Sequence, residues 1–300
     1  MTTLSNTQKP SRLRKRFDPE MDMTDHSVHA LTPYRVLSVV FLIVLTILFI
    51  FPLYWIITGS FKTQQVINAR VPVWFPLNPT MGNYERLFQK PALLWLLNTV
   101  LVCALAMGLT CITASMGGYA LAKKRFTGRK LLFSIFVCAM ALPKQVILIP
   151  LLKEMAFLKL HNTLWAVIFP AVGWPFGVFL MKQFSEGIPN EMLEAARIDG
   201  AGEARTFIEI ILPMIKPGIG ALAIFTFITT WNDYFLQLIM LNDTKVLTIS
   251  LGIAKLQSEL STDFGLIMAG AAIGSVPIII IFLLFQKFFT RGITMGAVKG

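Results

Sequence analysis

Glu194 and Asp199 are the two carboxylates whose setting invites a catalytic reading. They lie five residues apart, hence about 140° apart around a helix of 3.6 residues per turn, and no base or nucleophile accompanies them. General acid–base chemistry needs such a companion within hydrogen-bond reach. Phosphate chemistry fares no better, because no G-x-x-x-x-G-K-[ST] loop occurs and the chain has no P-loop of its own for ATP. Cys103, Cys111 and Cys138 all fall in apolar stretches, with no C-x-x-C pair and no His/Cys cluster at ligand spacing. A disulfide framework or a metal site is therefore not expected. What remains are charges set within apolar sequence, Lys144 beside Pro143 and Asp233 beside Trp231-Asn232. In hydrocarbon such groups are costly and face a bundle interior or an aqueous path.

Membrane helices must position those groups. The chain is 55% hydrophobic and 14% charged, against about a quarter charged in soluble proteins, and its mean hydropathy is +0.66. A helix needs about 20 apolar residues to cross the hydrocarbon core. Six segments qualify, so the sequence predicts an all-α membrane protein with six transmembrane helices. They are 36–61, 92–122, 131 to 152 (interrupted by Pro143, Lys144 and Pro150), 162–181 (broken by Pro170 and Pro175), 218–241 and 264–286. Small residues four apart, at Ala104/Gly108, Ala114/Gly118 and Gly270/Gly274, allow close helix approach. The Pro- and Trp-rich stretch 62–91 and the polar stretch 242–263 read as loops. Residues 1–35 are a polar, basic tail and not a cleavable signal, since the apolar stretch after them is too long.

The net charge of +11 does not imply a nucleic-acid partner, because the basic residues sit between apolar spans. Six spans put both termini on one side. That side, with the loop 185–217, holds about twice as many Lys and Arg as the other. The positive-inside rule then places the termini and that loop in the cytoplasm.

The loop is a charged island with its own helix signals. Pro189-Asn190 gives a start, and Glu191 and Glu194 stand near the positive end of the helix dipole. Gly200 is a natural terminator. A second helix from Glu203 to Leu212 would carry Ala204, Phe207, Ile208 and Ile211 on one face, with Pro213 stopping it. The order is E-A-A (Glu194-Ala195-Ala196), three residues, Gly200, nine residues, then Ile210-Ile211-Leu212-Pro213. This resembles the signature loop of ABC-importer permeases. Asn98-Thr99, the segment from Leu142-Pro143-Lys144-Gln145 to Ile149-Pro150, Trp231-Asn232-Asp233 and the ending Gly296-Ala297-Val298-Lys299-Gly300 look like the carbohydrate branch of that family. Within it the chain is similar to the smaller permease of maltose importers.

The resemblance implies a subunit of the bacterial cytoplasmic (inner) membrane that binds no cofactor itself, while two partner ATPases hold ATP and Mg. It further implies a second permease, an extracytoplasmic solute-binding protein and a carbohydrate substrate, with membrane lipid around the spans. The loop would carry the coupling helix, with Glu191, Glu194, Ala195, Ala196, Asp199, Gly200 and Pro213 docking on an ATPase. Residues 36–289 would form the permease domain, and 290–300 a cytoplasmic tail reaching the ATPase interface. Residues 242–262 would probe the binding protein.

On the substrate path the candidates are Asn98, Lys144, Gln145, Trp174, Phe176, Asn232 and Asp233. Lys144 has two readings: it lines the path and favours acidic or heavily hydroxylated sugars, or it snorkels to the outer interface. Snorkelling is the ordinary behaviour of a long cationic stem and is preferred here. Trp174 and Phe176, flanking Pro175, offer faces on which sugar rings stack, or else pack in lipid or core. Asn98, Asn232, Asp233 and Gln237 either meet substrate hydroxyls or bond neighbouring helices. The rival function is an ion-gradient-driven secondary transporter. It would need intramembrane carboxylates, for which only Asp233 is a candidate.

Overall fold

The computed structural model describes residues 33–259 and 263–297, with 35, 258–259 and 286–297 described by backbone alone. Most of the basic tail, and Val298-Lys299-Gly300 of the family-like ending, lie outside the described residues. Every described element is a helix. In order they are α1 (Pro33–Ser60), α2 (Ala92–Lys123), α3 (Arg129–Met140), α4 (Lys144–Phe157), α5 (Trp165–Val172), α6 (Phe176–Glu186), α7 (Asn190–Ile198), α8 (Glu203–Met214), α9 (Lys216–Trp231), α10 (Tyr234–Met240), α11 (Ile249–Glu259) and α12 (Phe264–Ala297). Short helical turns at Gln64–Ile67 and Gly82–Phe88 interrupt the loop after α1. The chain divides into two compact units, residues 1–51 and 52–300. The first holds the apolar start of α1, and the second everything from Pro52 onward.

Four helical stretches are long and apolar enough to cross a bilayer: Val36–Ser60, Ala92–Lys123, Trp165–Glu186 and Phe264–Phe285. Counting two bent pairs, α3 with α4 (109°) and α8 with α9 (75°), brings the candidates to six. The segment expected as an interrupted third span is thus sharply bent at its interruption. Pro143 explains this, since the residue before a proline is kept out of the helical region and α3 gives way just before Leu142. The fifth span is likewise interrupted at Asn232-Asp233, and the sixth helix runs on past residue 286 to Ala297.

The stretch 242–263, expected as a loop, is half helix. Ile249, Gly252, Ile253 and Leu256 recur at helical spacing, and Ile249, Leu251 and Leu256 of α11 are buried. Short length and polar flanks disguised it.

Within the 52–300 unit, α2 is the axis, packed along α5, α6, α9 and α11. Its outward residues Leu93, Leu97, Leu101, Ile112 and Met116 are exposed, as a hydrocarbon-facing surface requires. Two of the predicted small-residue pairs sit at close contacts, and a Cβ on Gly270 would come 2.7 Å from the Ile253 side chain of α11. A Cβ on Gly118 would come within 2.6 Å of the Met181 and Lys182 backbone, so α2 and α6 touch main chain to main chain there. Among the described residues, a Cβ on Gly108 would meet nothing within 4 Å. One buried cluster gathers around Trp95, Val102, Trp231, Met240 and Leu251. A second, further along α2, joins Tyr119, Met181, Ile188, Leu193, Ile211 and Ile215.

Candidate functional site

The charged island folds as a knob of two helices around one left-handed residue. α7 begins after Pro189 and ends in a Schellman motif. Gly200 has φ +75°, Ala201 N–H donates to Ala196 O at 2.9 Å, and Gly200 N–H donates to Arg197 O at 3.0 Å. Leu193 and Ala196 face inward. Glu191, Glu194, Ala195, Asp199 and Gly200 face outward, together with Ile198 at 86% exposure.

α8 departs from the expected face. Thr206–Ile211 is π-helical, and a wider turn shifts which residues point inward. Thr206 and Ile211 are buried, while Ala204 and Ile208 are exposed. The pattern at 3.6-residue spacing therefore misplaced Ala204 and Ile208. Pro213 lies within the last turn of α8 and not beyond it.

Three contacts fix the knob to the end of α2. Lys123 Nζ donates to Ile188 O and, at 3.0 Å, to Asn190 Oδ1, holding the entry to α7. Lys124 pairs with Glu203, and Arg197 approaches Glu203 at 3.9 Å from the other side. Tyr119 packs at a tilt against Phe207 with ring centroids 5.5 Å apart and reaches Glu203 with its hydroxyl at 3.4 Å. Burial pulls the Lys124 ammonium down, but its bonds to Glu203 and Tyr119 outweigh that and hold it above the usual lysine range. Its contribution to stability is therefore full below the ordinary lysine pKa of about 10.4 and is lost as pH rises through the raised value. Glu203 is largely exposed, so Glu203→Gln is expected to cost only about 0.5 kcal/mol. Salt-dependent thermal unfolding of the purified protein would reveal a larger role.

A second polar cluster lies where three helix interruptions meet. Lys144 opens α4, Trp174 sits between α5 and α6, and Asp233 caps α10 by accepting from Leu236 N–H. Lys144 Nζ stands 3.4 Å from Asp233 Oδ2 and 4.8 Å from the centre of the Trp174 ring. Lys144 is thus paired within the protein. On one side of this junction opens a cleft of about 420 Å³, lined also by Gln145, Leu148, Glu154 and Phe235. On the other lies a small pocket bounded by Phe176, Thr110 and α9.

The structure brings Lys144, Trp174 and Asp233 into contact and sets Gln145 and Phe176 on the flanking cavities. It does not bring Asn98 there. Asn98 Nδ2 donates to Lys245 O and Leu247 O at 2.9 Å each, and Trp95 Nε1 donates to Thr244 O at 2.9 Å. The side chain is spent on holding the segment before α11. Asn232 is exposed and donates back to Ile228 O. Gln237 is buried between Thr230 O and the Thr248 hydroxyl, the helix-bonding alternative. Sequence reasoning missed Tyr119, Lys123, Lys124 and Glu203. Their one local signal is a basic pair where an apolar span ends. Among the described residues no group of His, Cys, Asp and Glu is placed to hold a metal.

Comparison with known proteins adds to this geometry. The family described as binding-protein-dependent transport system inner membrane component matches residues 110–295, which include the knob and the junction. The arabinooligosaccharides transport system permease protein AraQ of Halalkalibacterium halodurans is 34% identical, over 84% of this chain and 91% of that protein. The trehalose/maltose transport system permease protein MalG of Thermococcus litoralis is 32% identical, over 89% and 97%. A chain in the crystal structure of a bacterial ABC transporter involved in the import of the acidic polysaccharide alginate superimposes with a TM-score of 0.77. It covers 85% of this chain and 96% of that one at 21% identity, a likeness of fold.

Proposed function

The chain belongs to the binding-protein-dependent transport system inner membrane components, the permease subunits of ABC importers, and from that premise we propose that it carries carbohydrate across the inner membrane by alternating access. It pairs with a second permease. Two cytoplasmic ATPases hold ATP and Mg, and an extracytoplasmic binding protein delivers an oligosaccharide. Six spans place both termini and residues 185–217 in the cytoplasm, with 1–35 and 290–300 as tails about a permease domain of 36–289. The observation that carries this reading is the knob itself, a short exposed helix closed by Gly200 and anchored to α2 through Lys123, Lys124 and Tyr119.

Glu191, Glu194, Ala195, Ala196, Asp199, Gly200 and Pro213 form or shape the docking element. Ala195 allows close approach, the acidic residues complement basic groups on the ATPase, and Ala196 seats the helix. When the ATPases close on ATP, the knob moves with them. Because its core is shared with α2 and α6, those spans move too and reopen outward. Coupling of this kind needs contacts that differ in free energy between the two states. Lys144, Gln145, Trp174, Phe176 and Asp233 border the passage. With Lys144 neutralised by Asp233, a neutral sugar suits it better than an anionic one.

Proteoliposomes test the energy source. Sugar uptake is expected to cease when the ATPase subunits are left out and to continue when proton and sodium gradients are collapsed. Uptake that survives loss of the ATPases and stops with the gradients would establish the secondary transporter instead.

A further inference from the structure

Beneath the Lys144–Asp233 pair, the small pocket is lined by hydroxyls that the passage reading has not used. Thr110 comes from α2, and Thr226, Thr229 and Thr230 come from α9. Thr110 is 3% exposed, and among the described residues its Oγ1 has no hydrogen-bond partner. Other helical threonines, such as Thr99, Thr113 and Thr229, settle their hydroxyls on the carbonyl one turn back. An orphaned buried hydroxyl is destabilising unless something fills the site. Thr110 also has its methyl against Gly177, where a Cβ would stand 3.2 Å from Thr110 Cγ2.

Trp174 and a Phe176–Phe225 pair with ring centroids 4.3 Å apart add aromatic faces, and Val167, Leu222 and Leu236 also line it. Hydroxyls beside aromatic faces, with the only charges cancelling each other, match an uncharged polyhydroxylated ring. In this conformation the pocket offers about 20 Å³, enough for one water and too little for a sugar. Its walls, however, are drawn from both sides of two helix interruptions: Val167 and Gly177 about one, Thr230 and Leu236 about the other. Relative movement of those segments widens it.

We propose that this pocket is the contracted form of a ligand subsite in which Thr110 Oγ1 binds a hydroxyl of an uncharged sugar during passage, the site holding water between cycles. The proposal rests on the carbohydrate-permease reading. The test uses the complete reconstituted transporter, with radiolabelled arabinotriose and maltose as probes and saturating loaded binding protein. Thr110→Val keeps the shape and removes the hydroxyl. Uptake is expected to fall about fivefold, the effect of one lost neutral hydrogen bond, while binding-protein-stimulated ATP hydrolysis stays within twofold of wild type. Thr110→Ser is expected to restore uptake. The melting temperature of the valine variant should not fall, which separates loss of a contact from misfolding. Unchanged uptake by Thr110→Val, or a parallel loss of uptake and hydrolysis, overturns the subsite. If wild-type vesicles move neither sugar, the parent reading falls and takes the subsite with it.

Discussion

Replacing Gly200 by valine is expected to let ATP hydrolysis run on while transport falls about tenfold. The reason is backbone conformation alone. Gly200 has φ +75°, and a Cβ there would meet nothing within 4 Å. A left-handed conformation costs an L-residue roughly 1–2 kcal/mol, and a β-branched one fits it worst. To escape, the chain must give up the two Schellman hydrogen bonds from Gly200 and Ala201, and the end of α7 loses its fixed direction. Ile198, Asp199 and Ala195 then no longer present one surface. Asparagine tolerates the left-handed region, so Gly200→Asn should remain within about twofold of wild type. The quantity to measure is sugar moved per ATP hydrolysed in proteoliposomes, expected to drop on the order of tenfold for Gly200→Val, a barrier change of about 1.4 kcal/mol. Undiminished coupling in the valine variant would remove the knob from the mechanism.

Gly118→Val is expected to do more, because it strikes the folded bundle and not the docking face. Its Cβ would lie 2.6 Å from Lys182 N and Met181 C. These are backbone atoms, and no rotamer change relieves the clash. Overpacking of this kind costs about 3 kcal/mol or more. Moving α6 away from α2 also opens the cluster of Tyr119, Met181, Ile188 and Leu193 that seats the knob. The yield of monodisperse protein extracted in mild detergent should fall at least about tenfold, taking 1.4 kcal/mol per decade. Gly108→Ala, on the same helix with open space around it, is the matched control and should extract like wild type. Equal yields for the two variants would show that α2 and α6 are not held by this contact.

Some of this was legible before any coordinates. Four apolar stretches coincide with helices long enough to span, because in hydrocarbon an uncharged run has no alternative to satisfying its backbone internally. Gly200 announced its left-handed turn by type and position. What stayed hidden depended on partners remote in sequence. Glu203 reads as an ordinary surface acid until Lys124 is found beside it, and Asn98 reads equally as a substrate ligand or a helix partner until the carbonyls of Lys245 and Leu247 are found against it. Local pattern failed in a different way at α8. The assumed 3.6-residue period does not hold across a π-helical turn, so Ile208, expected on one face with Ile211, lies exposed while Ile211 is buried. Similarly, Lys144 could be recognised as unusual from its apolar surroundings, but not as one half of a pair with Asp233.

Trp95 and Asn98 grip the segment before α11 by the main-chain oxygens of Thr244, Lys245 and Leu247. Carbonyls are identical at every position, so this clasp is indifferent to which side chains the segment carries. The exposed side chains of Thr244 and Lys245 are thereby free to change without disturbing the scaffold that displays them.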